Sequence, residues 1–108
     1  MLIRALLTML VLLFAFSLLY SASADHPSCV LCKQIIGAAY AHDVQNYVND
    51  VTKFEKYWSE ECTFLRMQID PALGNYCFWL YRTNQAELMK EFFERIPAAN
   101  ICSNLKQC

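Results

Sequence analysis

Six cysteines, at positions 29, 32, 62, 77, 102 and 108, constrain this chain of 108 residues more than any other feature. A core of this size buries only about 60 to 65% of the surface its unfolded chain exposes, so covalent cross-links are physically useful. An even count of cysteines implies three disulfides, for which sequence alone leaves fifteen pairings open. Cys29 and Cys32 are one helical turn apart, and Cys102 and Cys108 are less than two turns apart at the opposite end. Were the chain ends antiparallel, a nested pairing of Cys29 with Cys108 and Cys32 with Cys102 would be geometrically natural, with Cys62 and Cys77 closing the middle. A zinc site would call for a second short-spaced pair where this chain has C-x5-C, and a thioredoxin-like redox pair would call for a βαβ context that the chain lacks.

The cysteines all follow a segment of another kind. In residues 1–24 only Arg4, Thr8, Ser17, Ser21 and Ser23 fall outside the apolar set, so 19 of 24 positions are hydrophobic. Arg4 supplies a positive start and Leu10 to Phe16 with Leu18, Leu19 and Tyr20 an apolar stretch. Ala22-Ser23-Ala24 then offers a small-x-small cleavage pattern, so the segment reads as a secretory signal peptide cut after Ala24. The competing reading is a retained membrane anchor, against which stands the absence of a basic cluster after Ala24. The expected mature domain is residues 25–108, delivered outside the cell or into an acidic vesicle or gut compartment.

That domain has 42 apolar positions in 84 residues, and eight basic side chains against ten acidic ones, a formal net charge of −2. The basic residues are interleaved with acids, which excludes a nucleic-acid footprint. Apolar residues recur at helical steps throughout, with no alternating β-branched run, so the fold class is all-α. A first helix starts near Val30 and fades at Ala41 to Asp43. Asp43 is the expected N-cap of a second helix carrying Val44, Tyr47, Val48, Val51, Phe54, Tyr57 and Trp58 and ending at Ser59-Glu60-Glu61, where the paired acids read as a solvated terminus. Asp70-Pro71 predicts a third helix to about Arg82. Asn84 and Glu87 resemble a capping box opening a fourth, with Leu88, Met89, Phe92, Phe93 and Ile96 as its stripe and Pro97 as its stop. A last turn runs over Ala98 to Leu105.

The order Cys29-x2-Cys32, Cys62, Cys77, Cys102-x5-Cys108, on an all-helical chain behind a leader, resembles the saposin-like (saposin B-type) family across essentially the whole mature segment. "CVLCKQIIG" resembles that family's opening helix and "IPAANICSNLKQC" its ending; the 14 residues between Cys62 and Cys77 exceed the usual interval. The resemblance implies the pairs Cys29–Cys108, Cys32–Cys102 and Cys62–Cys77, and a bundle of four to five helices in two leaves that open like a clasp. It also implies interaction with lipid without a catalytic centre, in the manner of the stand-alone defensive and digestive members such as amoebapores and caenopores. The partners it implies are membrane phospholipids and, on a membrane, further copies of the chain; no cofactor, metal or nucleic acid is expected.

Trp58, Phe78, Trp79, Tyr81, Phe92 and Phe93 are the candidate membrane-contacting residues, because aromatic rings favour the bilayer interface; the alternative is that they fill the core between helices three and four. A net charge of −2 gives no general attraction to anionic lipid at neutral pH. Imidazoles titrate near pH ~6.5, so His26 and His42 would add positive charge on acidification, followed by neutralisation of carboxylates. Acid-triggered membrane binding is therefore expected, and His42, at the junction of the first two helices, is the candidate pH sensor. Enzymatic chemistry finds no G-x-S-x-G, H-E-x-x-H or phosphate-binding glycine loop. Membrane permeabilisation in defence or digestion is the leading reading. Lipid presentation or transfer to hydrolases is the next, and a non-lytic secreted interaction module the third.

Overall fold

The computed structural model describes residues 26–108, so the expected leader lies outside the described residues. Four α-helices and one 3₁₀ turn account for the described chain, and no strand occurs among these residues. Helix α1, Pro27–Ala41, begins three residues before Val30. His26 caps it, Nδ1 accepting from the Ser28 N–H at 3.2 Å, and Pro27 sits where a missing N–H costs nothing. Cys29, Cys32, Ile35, Ile36 and Ala39 form its buried stripe.

Asp43 does not cap the second helix. Its backbone is left-handed (φ 60°, ψ 43°), a conformation that aspartate tolerates better than most residues but that an N-cap does not use. The chain turns there through the 3₁₀ segment Val44–Tyr47, and helix α2, Val51–Gln68, starts only after Asp50, whose Oδ1 accepts from the Lys53 N–H at 3.0 Å. Helix α2 also runs through Ser59-Glu60-Glu61 rather than ending there. Phe54, Tyr57, Trp58, Glu61, Cys62 and Leu65 are buried at three- and four-residue steps, so Glu61 occupies an inward position of a stripe that continues past it.

Asp70 opens helix α3, Pro71–Phe93, as expected, its side chain accepting from the Ala72 N–H at 3.2 Å. The expected third and fourth helices are one element with a break at Asn84 (φ −141°, ψ 32°). Asn84 Nδ2 donates to the Leu80 carbonyl at 3.0 Å, which ties the side chain back to the preceding turn at the break. The boundary read from the sequence is thus a kink. Pro97 precedes helix α4, Ala98–Asn104.

Helices α2 and α3 form an antiparallel hairpin with a constant register: Arg66 lies against Gly74, Cys62 is bonded to Cys77, and Trp58 stacks on Tyr81. Gly74 makes the close crossing possible, because a Cβ there would collide with the Arg66 Cα and Cβ. Helices α1 and α4 form a stem joined by Cys29–Cys108 and Cys32–Cys102. No cysteine is free. The core fills the space between hairpin and stem. Phe54, Trp58 and Phe92 meet there with ring centroids 5.8 to 6.2 Å apart, and Tyr40 of α1 packs edge-on to Phe92 at 5.2 Å.

Candidate functional site: the hairpin, its stem and the seam between its helices

All three disulfides stay within one of the two units: two in the stem, one in the hairpin, none between them. Hairpin and stem are therefore held together by packing and a few polar contacts. Tyr57 donates from its hydroxyl to the Ala39 carbonyl at 3.1 Å, Tyr76 to the Ser28 carbonyl at 3.3 Å and to Gln107 Oε1, and Tyr40 to the Ile96 carbonyl. Burial pushes the hydroxyls of Tyr40, Tyr57 and Tyr76 above the usual phenol range, so they serve as donors throughout the physiological range.

At the end of α1, His42 Nδ1 lies 2.8 and 2.9 Å from the two carboxylate oxygens of Glu61. The imidazole is half exposed and the carboxylate is 7% exposed, and Phe64 of α2 meets the ring edge-on at 6.2 Å. The pair joins α1 to the hairpin across the gap that no disulfide spans. Glu61, read from the sequence as solvated, is the buried member of this contact. His42, the candidate pH sensor, therefore sits at a polar contact between the two units.

The six aromatic candidates divide by location. Trp58 and Phe92 are wholly buried, and the indole Nε1–H of Trp58 donates to the Cys77 carbonyl at 3.1 Å. In this structure both are core side chains, as the competing reading held. Phe78 and Tyr81 are half-buried on the outer seam of the hairpin, Tyr81 over Trp58 and Phe78 beneath the Arg66 guanidinium at 5.1 Å. Trp79 and Phe93 are exposed, at 41% and 66%. Three more exposed apolar side chains were not singled out from the sequence: Phe64, Met67 and Ile69 sit at or near the α2–α3 turn, the last two 71% and 62% exposed. Their positions on a helical stripe do not separate core from surface; only the register of the hairpin does.

A second buried acid also escaped sequence reading. Glu91 of α3 is 6% exposed, accepts from Asn104 Nδ2 of α4 at 2.6 Å through Oε1, and has no partner for Oε2. Burial pushes its carboxyl above the usual range against the opposing effect of the Asn104 hydrogen bond, and repulsion from Glu87 and Glu94 adds to the rise. No group of three or more His, Cys, Asp and Glu side chains suited to a metal ion occurs among the described residues, and no described helix is long and apolar enough to cross a membrane. No protein-family model, curated protein or solved structure matches the chain.

Proposed function

We propose that the protein is a secreted saposin-like domain that binds membrane lipid without catalysing a reaction, and that it permeabilises membranes in defence or digestion. The observation that carries this reading is the division of the cross-links. A covalently closed stem and a covalently closed hairpin enclose an aromatic core, and no disulfide prevents their separation. Parting them would present Phe54, Trp58, Leu80, Leu88 and Phe92 to a bilayer, while Met67, Ile69, Trp79 and Phe93 already offer apolar contact in the closed form. The three disulfides fit an oxidising compartment, in keeping with the expected leader.

Acid acts in this reading through surface charge. Protonation shifts a slightly anionic domain toward positive charge and draws it to anionic lipid, whereas the buried Glu91, whose carboxyl burial raises above the usual range, favours the closed form as it gains a proton. Membrane attraction and opening are therefore separate steps, and opening follows from contact with lipid. Dye release from anionic vesicles tests the reading: release that grows between about pH 7 and about pH 5 is expected, and equal release at both sinks the acid-triggered form. Transfer of lipid between vesicles without release would support carriage instead, and absence of any association would favour an interaction module.

A further inference from the structure

The outer seam of the hairpin holds three recesses that share their walls. One, of about 360 Å³, is lined by Arg66, Asn75, Phe78 and Arg82. The next, of about 220 Å³, shares Phe78 and Arg82 with it and continues past Trp58 to Tyr81 and Gln85. The third, of about 170 Å³, shares Tyr81 and Gln85 and ends at Val51, Phe54 and Met89. Together they follow the α2–α3 register as one groove. From Arg66 to Val51 it spans roughly 22 Å at 1.5 Å per helical residue, the reach of a long acyl chain.

The groove has a polarity. Its Arg66 end carries two guanidinium groups and one carboxamide and no carboxylate. Neither arginine is in an ion pair seen among the described residues, and of the two only Arg82 shares a recess with an acid, Glu55. Arg66 is held over the Phe78 ring, its backbone meets Gly74 at the helix crossing, and its side chain lines the recess. Beyond that end the walls are mainly aromatic and aliphatic, and Glu55, lining the middle recess, repels an anionic group there and favours its placement on the Arg66 side of Arg82. An anionic head therefore fits one end only. Guanidinium forks match phosphate oxygens, and two of them match the roughly −1.5 to −2 charge of a phosphate monoester better than the single charge of a carboxylate.

We propose that this groove binds a single-chain lipid with a phosphate monoester head, the phosphate between Arg66 and Arg82 and the acyl chain along Phe78 and Tyr81 toward Val51 and Met89. The proposal rests on the lipid-binding reading and gives it a ligand class held by the closed form, apart from any opening of the core.

The test is titration of the full mature chain with palmitoyl lysophosphatidic acid below its micelle-forming concentration, followed by calorimetry and by tryptophan emission, since Trp58 lines the middle recess. One ligand per chain is expected. Arg66→Gln with Arg82→Gln should weaken binding by about tenfold or more, with helical circular dichroism unchanged because both side chains are exposed. Arg82→Gln alone, which leaves the helix crossing untouched, should weaken it severalfold. Palmitate, palmitoyl lysophosphatidylcholine and the octanoyl homologue should each bind more weakly, and inorganic phosphate not measurably. Palmitate binding as tightly as the phosphate lipid, or variants that bind it like the native chain, would overturn the proposal. If the native chain still associates with anionic vesicles in that case, the groove assignment falls and the membrane reading stands. Arginine-dependent binding of the monomer without vesicle association would retain the groove and remove the lytic reading. Absence of both kinds of binding removes both.

Discussion

At the scale of single residues, the molecule's stability is concentrated in side chains that touch several elements at once. Trp58 contacts Phe54, Tyr81 and Phe92 and satisfies the Cys77 carbonyl. Trp58→Ala should cost about 3–5 kcal/mol through lost burial and the cavity left behind, and chemical denaturation will measure it. A loss under about 1 kcal/mol would show that the aromatic core is not load-sharing in this way. Glu91 works in the opposite sense. Its folded pKa lies above its unfolded value, so the folded state holds the proton more tightly, and this group's contribution is most favourable below about pH 4.5 and is lost as pH rises through the raised pKa. Glu91→Gln removes that titration, so thermal melts of the variant should decline less between acid and neutral pH than those of the native chain. Identical pH profiles would contradict the assignment. The core position of Trp58 was one of two readings the sequence allowed, whereas the burial of Glu91 was not legible there. Glutamates at 61 and 91 look like members of solvated faces, and only the way α1 and α4 close over α2 and α3 takes them out of water. Arg66 and Arg82 were hidden for the same reason, as charges interleaved with acids along the chain but brought together across the hairpin by its register.

Among the elements, local chemistry was decisive where one residue could satisfy only one role. Asp70-Pro71 marked the start of α3, Pro97 preceded α4, and the cysteine spacing left the observed pairing as the natural one for antiparallel ends. It failed where two residues competed. Asp43 and Asp50 are both acceptable caps, and burial of Val44 and Val48 draws the chain between them into a turn, which hands the capping role to Asp50. Asn84 had cap chemistry but sits in a helix long enough to carry a kink rather than a stop. The close crossing at Gly74 is invisible to pattern reading, yet Gly74→Ala should cost about 1–3 kcal/mol, because relieving the collision means moving two helices that Cys62–Cys77 ties together. The stem bridges make a further prediction. Either one alone already closes a loop spanning 70 or 79 residues of separation, so removing one by Cys→Ser pairs costs only the small ring between them. Removing both should cost about 2 kcal/mol more than the sum of the two single losses. Strict additivity in denaturation experiments would show that the two bridges do not share the constraint.

For the molecule as a whole, acid has two effects that the closed structure separates. In the proposed reading, protons gained at the surface shift residues 25–108, of formal charge −2, toward positive, which would act as a long-range, salt-screened attraction to anionic membranes. Within the interior, protonation relieves the burial of the Glu91 carboxylate, so this group does not weaken the hairpin–stem interface in mild acid. A protein that opened because its interior titrated would melt at lower temperature as its membrane binding rose. Here the two should move together: between about pH 7 and about pH 5 the melting temperature should hold or rise while vesicle binding strengthens, and added salt should abolish most of the gain in binding without lowering the melting temperature. A falling melting temperature over that range, with binding insensitive to salt, would transfer the trigger from the surface to the core and require a titrating group that breaks the interface. Opening would then precede contact with the membrane, whereas the charge-driven route makes lipid itself the agent that separates hairpin from stem.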